Sequence, residues 1–260
     1  MFCRIAANDK LFYNGFYRQN VVITGGSTGI GFATAQAFIE NGATVFITGR
    51  SEKNLQNAAE RINSDNLNTV VADISSLSGI EVLEKVVAES GKKLDVLFLN
   101  AGVGGFTPIE QVTEEDFDAQ FNTNVKGSFF TLQKLLPHLN NGATVLFTSS
   151  TVASTSSVGS GIYAATKGAL NKIAQVAANE LSDRQIRVNI VSPGPIRTEG
   201  FEKAVTDEAK DYLASTVALQ RLGVPNEIAE TVLFLASNKA SFISGTELLV
   251  DGGYTNYALK

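Results

Sequence analysis

The chain is short of the side chains that disulfide, zinc and hydrolytic chemistry need. Its 260 residues hold one cysteine, Cys3, and one histidine, His138. A single thiol forms neither an internal disulfide nor a cysteine-based zinc site, and it fits a reducing compartment, so a cytoplasmic location is expected. A Ser-His-Asp hydrolase would have to recruit His138, which follows Pro137 and precedes Asn140-Asn141-Gly142 and so reads as a surface residue at a helix C-terminus. Basic residues are also in the minority. Lys and Arg total 21 against 26 Asp and Glu, a net charge of −5, which leaves no cationic excess for a nucleic-acid backbone or an anionic membrane. Residues 1–20 mix Phe2, Phe12, Tyr13, Phe16 and Tyr17 with Arg4, Lys10 and Arg18, and lack the unbroken apolar stretch of a signal peptide or membrane span. They read as an N-terminal arm, with 21–260 as one domain, because no linker rich in Pro or charge divides the rest.

What is present is a regular alternation. Short apolar, β-branched runs at Val21–Thr24, Thr44–Thr48, Thr69–Val71, Leu94–Leu99, Thr144–Thr148, Val188–Val191 and Leu248–Val250 are separated by longer helix-forming segments. Such runs, bounded by turn residues, predict an α/β fold: a doubly wound, Rossmann-type, mostly parallel sheet of seven strands with helices on both faces. Right-handed crossovers then put the ligand at the carboxyl ends of the strands, near the point where strand order reverses.

The first strand runs into Thr24-Gly25-Gly26-Ser27-Thr28-Gly29-Ile30-Gly31, followed by a helix-forming run from Phe32 to Ile39. Strand, glycine turn and helix together make a phosphate cradle, because the first helical turn offers unpaired N–H groups and partial positive charge. The glycines do not follow G-x-G-x-x-G, and the Lys and Ser/Thr of a Walker loop are missing. The bland alternative is a turn whose glycines serve only its backbone. The second strand ends at Gly49-Arg50, about twenty residues past the first glycine, where dinucleotide folds read the adenosine ribose. No carboxylate stands there. Gly49 leaves room and Arg50 offers a forked cation to a 2′-phosphate, so NADP(H) is favoured, with NAD(H) as the alternative and a solvated Arg50 beside a helix start at Ser51 as the plain reading. Asp73, at the end of the third strand, reads equally as a helix cap before Ser75. Thr113 reads as another cap, opening a helix whose Asn122, Asn124 and Gly127 predict a kink or a bound water.

After the fifth strand come Ser149-Ser150, a polar loop to Ser160, and Tyr163-Ala164-Ala165-Thr166-Lys167 opening a helix to about Leu181. Tyr163 follows Ser150 by thirteen positions, and Lys167 lies one helical turn beyond Tyr163. With Thr-Gly-x-x-x-Gly-Ile-Gly upstream, the chain from about Val21 to Gly253 resembles the short-chain dehydrogenase/reductase family. That resemblance implies catalytic roles for Asn124, Ser150, Tyr163 and Lys167. Tyr163 would be the general acid or base, its pKa pushed from about 10 toward 7 by Lys167 and the oxidised nicotinamide. Ser150 would orient the substrate oxygen, and Asn124 would hold a water that links Lys167 to solvent. The cofactor would meet Gly25, Ser27, Thr28, Gly29, Ile30 and Gly31 at the phosphates, Arg50 at the ribose, and Asp73 and Ile74 at the adenine. Leu99-Asn100-Ala101-Gly102 resembles the family's Asn-Asn-Ala-Gly motif with Leu in the first place, and Asn100, Ala101 and Gly102 would lie against the cofactor ribose. Tyr163 and Lys167 themselves, with Pro193, Gly194 and Ile196, would surround the nicotinamide end, and Thr198 would lie near the nicotinamide amide or the pyrophosphate.

The same resemblance implies a substrate lid at about 196–219 and a homo-oligomer, tetramer or dimer. Substrate choice is expected in that lid, in Gly104-Gly105-Phe106 and in Val152 to Ser160, whose mixed apolar and small residues suggest a modest ketone or an acyl thioester. The expected activity is hydride transfer between NADP(H) and a carbonyl or secondary alcohol. An NAD-dependent sugar or polyol dehydrogenase, a non-catalytic NADP(H) sensor and a structural module are the other classes.

Overall fold

A computed structural model of the chain describes residues 15–256. Of the arm expected at 1–20, residues 1–14, Cys3 among them, lie outside the described residues. The described part of that segment leads into the first strand, and Phe16 is 4% exposed, its ring edge-on to Phe38 with centroids 4.9 Å apart.

Seven strands follow in the order the apolar runs predict: β1 Asn20–Ile23, β2 Thr44–Gly49, β3 Leu67–Val71, β4 Leu94–Leu99, β5 Leu139–Thr148, β6 Arg187–Pro193 and β7 Glu247–Val250. All six neighbouring pairs are parallel, in the spatial order β3-β2-β1-β4-β5-β6-β7. The chain therefore builds outward from β1 through β2 and β3, then returns to place β4 on the other side of β1. Strand order reverses between β1 and β4, and the carboxyl ends of these two strands form the crevice of such sheets.

Both faces are covered because the strands are apolar on both. Val21, Ile23, Val45, Ile47, Val96 and Phe98 face one layer, formed by α1 (Gly29–Glu40), α2 (Glu52–Ile62) and α9 (Pro225–Ala236). Val22, Phe46, Leu97, Leu99, Val145 and Phe147 face the other, formed by α3 (Leu77–Glu89), α5 (Ser128–Leu135) and α6 (Gly161–Glu180). Alternation along each strand gives each layer its own side chains. Leu99, which replaces a motif asparagine, is a core residue at 1% exposure.

Several local features refine the sequence expectation or depart from it. The suspected kink is a π-helical stretch, Phe121–Gly127, between α4 (Glu114–Gln120) and α5. It widens the turn and buries Asn124 completely, and Gly127 is required there because a Cβ would come 2.6 Å from the Ile74 carbonyl oxygen. Ser76, rather than Asp73, caps α3; Asp73 instead shapes the preceding turn by accepting from the Ser75 N–H (3.0 Å) and hydroxyl (2.8 Å). His138 is not a plain surface residue, since its Nε2 lies 2.8 Å from Glu84 and its side chain is 19% exposed. The segment expected to form a lid folds as α7 (Glu199–Ala204) and α8 (Asp207–Ser215), joined by Lys210, which bridges Glu202 at 2.8 Å and Asp207 at 3.0 Å. No helix among the described residues is long and apolar enough to cross a membrane.

The burial of Phe16 makes the segment before β1 part of the core, and the expected consequence is measurable. Phe16→Ala should lower unfolding stability by about 3–5 kcal/mol, whereas Tyr17→Ala, at a residue 64% exposed, should cost less than about 1 kcal/mol in the same urea titration. Equal effects would place Phe16 outside the cooperative unit.

Candidate active site

The glycine loop is built by hydrogen bonds from three neighbouring strands. Thr24 N–H donates to the Phe98 carbonyl (3.0 Å) and Gly26 N–H to the Thr48 carbonyl (3.0 Å), so β4 and β2 hold the loop from either side. The Thr24 hydroxyl accepts from the N–H groups of Asn100 and Ala101, each at 3.0 Å. Asn100 answers with its side chain, Nδ2 donating to the carbonyls of Thr24 (3.1 Å) and Gly25 (3.3 Å) while Oδ1 accepts from the Thr148 hydroxyl (3.1 Å). Two glycines are demanded by this geometry. Gly25 has φ +66° and lies against Ala101, and a Cβ on Gly31 would run into the Gly25 carbonyl and come 2.7 Å from Asn100 Nδ2.

The helix that follows is left open at its start. Thr28 occupies the N-cap position of α1 without a side-chain cap bond, and no acidic residue stands in the first turn. By contrast α2, α3, α4, α7 and α8 are each capped by a Ser or Thr hydroxyl. The uncapped N–H groups and the positive end of α1 therefore face the crevice, where an anion would satisfy them. Arg50 is exposed at the end of β2 and has no ion-pair partner among the described residues, while the neighbouring Ser51 caps α2 by accepting from Asn54 N–H (3.3 Å).

A groove of about 460 Å³ joins these parts. Its walls include Gly25, Ser27, Thr28, Gly29, Ile30 and Arg50, then Asp73, Ile74, Asn100, Ala101 and Gly102, and then Tyr163, Lys167 and Thr198, with Thr198 packed beside Gly29. Glycines that leave no room for a Cβ, an open helix start and an unpaired guanidinium make this groove fit a phosphorylated dinucleotide. Gly31 lies beneath the loop. Ser150, Pro193, Gly194 and Ile196 do not line the groove: Pro193 pairs with Val250 in the sheet, Gly194 packs on Asp251, and Ile196 is a core residue at 9% exposure.

Tyr163 and Lys167 project from the first turns of α6, with the Lys167 ammonium 5.6 Å from the centroid of the Tyr163 ring. Nζ donates to the Thr148 carbonyl at 2.8 Å, and burial pulls its pKa down to about 8. Burial also raises the Tyr163 phenol, opposed by the neighbouring Ser150 hydroxyl. Desolvation thus disfavours the phenolate and also weakens the cation expected to stabilise it. Ser150 starts a short 3₁₀ turn, Thr151–Ala153, its hydroxyl accepting from Val152 N–H at 3.3 Å. Asn124 uses its side chain as a clamp. Oδ1 accepts from Val103 N–H and Nδ2 donates to the Val103 carbonyl, both at 2.8 Å, and Nδ2 also donates to the Thr166 hydroxyl at 3.0 Å. Gly102 fits between Asn124 and Lys167, where a Cβ would be 3.2 Å from Asn124 Oδ1 and 3.3 Å from Nζ.

Sequence reasoning missed several participants. Thr48, next to last in β2, and Thr148, last in β5, support the groove; small hydroxyl residues near the ends of these strands were the available signal. Thr123, Asn54 and Gly200 also line the groove. Arg61 of α2, stacked 4.0 Å over Phe32, pairs with Glu199 of α7 at 3.2 Å, a long-range tie that no local pattern announces. His138 precedes β5 whereas Ser150 follows it, so about ten strand residues, roughly 30 Å, separate the only histidine from the tyrosine end of the groove.

The comparisons with known proteins agree with this geometry. A family model described as enoyl-(acyl carrier protein) reductase matches residues 25–255. An oxidoreductase of Sarocladium schorii is 38% identical over 237 residues, covering 90% of this chain and 95% of that protein. A 3-oxoacyl-[acyl-carrier-protein] reductase of Thermotoga maritima is 36% identical over 238 residues, covering 89% and 96%. A solved short-chain dehydrogenase/reductase from Brucella melitensis, described as a glucose/ribitol dehydrogenase, superposes with a TM-score of 0.89 at 30% identity, covering 94% of this chain and 99% of that one. With the matched family spanning nearly the whole chain, the protein belongs to the short-chain dehydrogenase/reductase family and is an NAD(P)-dependent oxidoreductase.

Proposed function

We propose that the protein reduces a carbonyl compound to a secondary alcohol with NADP(H), Tyr163 giving the proton. The observation that carries this reading is the single groove that has the glycine loop and Arg50 as well as Tyr163 and Lys167 in its walls. When bound, NADP(H) supplies the hydride.

The chain's own residues do the rest. The N–H groups at the start of α1, with Ser27, Thr28, Gly29 and Ile30, would hold the phosphates, and Arg50 would hold the 2′-phosphate. Asp73 and Ile74 would hold the adenine, and Asn100, Ala101 and Gly102 the ribose. Thr198, packed beside Gly29, would hold the pyrophosphate or the nicotinamide amide, and Pro193, Gly194 and Ile196 would support the nicotinamide end. Because burial holds Tyr163 as a phenol, it carries the proton that the carbonyl oxygen takes up as the carbon is reduced. Ser150 orients that oxygen. Lys167, an ammonium below about pH 8, stabilises the phenolate left behind and returns a proton to it. Asn124 fixes Val103 beside Lys167, and a water in its neighbourhood connects Lys167 to solvent.

An NAD-dependent sugar or polyol dehydrogenase is the second reading, supported by the likeness to the Brucella melitensis protein described as a glucose/ribitol dehydrogenase; Arg50 separates the two. A cofactor sensor would have no use for a half-buried Tyr163 one helical turn from a buried Lys167. The exposed Phe117, Phe129 and Val176 support assembly into a homodimer or tetramer. Helices α7 and α8 form the lid over the substrate end.

Three outcomes test the reading. In assays with NADPH and NADH against a panel of ketones, aldehydes, sugars and acetoacetyl thioesters, Tyr163→Phe should lower turnover by about a thousandfold while leaving NADPH fluorescence titrations within about threefold. Wild-type activity in that variant would remove Tyr163 from the chemistry. Arg50→Ala should raise KM for NADPH by roughly 10- to 100-fold, as losing a hydrogen bond of about 1.5–3 kcal/mol to a charged group requires, and leave KM for NADH nearly unchanged. Parallel changes for both would make Arg50 a solvated residue. Raising the pH through about 8 converts the Lys167 ammonium to a neutral amine, so kcat/KM for reduction should fall across that range; a flat profile would contradict the role given to its charge.

A further inference from the structure

We propose that Phe106 is the surface on which the substrate lies, and that the carbonyl compound is an uncharged ketone carrying an aromatic or conjugated ring. The inference rests on the carbonyl-reductase reading and narrows its substrate class.

Phe106 stands next to the proton donor. Its ring centroid is 6.2 Å from that of Tyr163, inclined at 62°, and the residue is 63% exposed. A carbonyl oxygen at the Tyr163 hydroxyl therefore has one substituent beside this ring. An aromatic substituent there gains offset or edge-on ring contacts as well as apolar burial, which a saturated group of equal size lacks in part.

The exposure of Phe106 is imposed by the backbone. Gly104 lies flat on Tyr163, where a Cβ would sit 3.3 Å from Cε2 and Cζ of the phenol ring. Thr107 N–H donates to the Gly159 carbonyl at 2.9 Å, tying the loop after β4 to the loop after β5. Gly159 has φ +79°, and a Cβ on it would come 3.1 Å from Thr107 N and 3.2 Å from Phe106 C, so the two loops meet only because this residue is glycine. The joined loops hold Phe106 outward beside the reacting position. Ile109 at 89% and Val158 at 91% exposure extend the apolar rim along the same two loops.

Charge points the same way. Residues 103–109 and 151–160 contain no Asp, Glu, Lys or Arg. A sugar phosphate or another anionic substrate finds no cation on these loops, and a polyol laid on Phe106 would lose water from its hydroxyls without gaining partners from the ring.

The test compares acetophenone with cyclohexyl methyl ketone, which share a carbon skeleton and differ in aromaticity. Taking the ratio of their kcat/KM values and comparing it between proteins cancels the difference in intrinsic reactivity. The ratio should fall roughly 2- to 13-fold from wild type to Phe106→Ala, chiefly through KM for acetophenone, and return close to wild type in Phe106→Tyr. A ratio that is the same in wild type and Phe106→Ala overturns the proposal, as does a loss that Phe106→Tyr fails to restore. Turnover of small aliphatic ketones with none of any aryl ketone overturns the proposal and leaves the reductase reading standing. No NADPH- or NADH-dependent turnover of any carbonyl by the wild-type protein overturns both.

Discussion

Everything in the site hangs on the hydrogen bonds of one asparagine at the reversal point of the sheet. Asn100 joins the ends of three strands: its Nδ2 holds the carbonyls of Thr24 and Gly25 after β1, its backbone ends β4, and its Oδ1 takes the Thr148 hydroxyl at the end of β5. Thr148 then passes the constraint on, because its carbonyl accepts from Lys167 at 2.8 Å. A continuous chain of bonds thus runs from the glycine loop to Lys167. Buried polar groups connected in this way resist displacement, since breaking one bond strands its partner away from water. The arrangement fixes the distance between the end of the groove that fits phosphates and the end that holds the phenol.

The electrostatics of the tyrosine end follow from the same burial. A lysine at 3% exposure is expensive to keep charged, and its fall to a pKa of about 8 expresses that expense. With Nζ 5.6 Å from the Tyr163 ring centroid and little solvent access, a charge at Lys167 is weakly screened toward that ring. Burial raises the Tyr163 phenol as well, against the opposing effect of the Ser150 hydroxyl.

Much of this was legible in the residues. The seven apolar runs marked every strand within a few positions, because a parallel sheet buried on both faces leaves little freedom in composition. The largest departure was β5, which begins at Leu139 rather than Thr144, since Asn140, Asn141 and Gly142 resemble a turn and carry no apolar signal. Glycine spacing pointed to the cradle, but the open start of α1 emerges only when its cap is compared with those of the other helices. The π-helical stretch was visible as poor helix sequence around Asn124 and Gly127, while its purpose, an Asn clamped on Val103, needs partners twenty-one residues apart. Long-range ties such as Arg61 with Glu199, and the desolvation that decides both pKa shifts, depend on packing that no local pattern carries.

The central claim is that this groove brings a nicotinamide and a carbonyl together at Tyr163. Isotope transfer tests it most directly. Wild-type protein would be given each hydride-face form of [4-²H]NADPH with the best carbonyl substrate, and the alcohol analysed by mass spectrometry. The account predicts one deuterium on the carbinol carbon from one of the two labelled forms and none from the other. Alcohol that is unlabelled from both forms would contradict it.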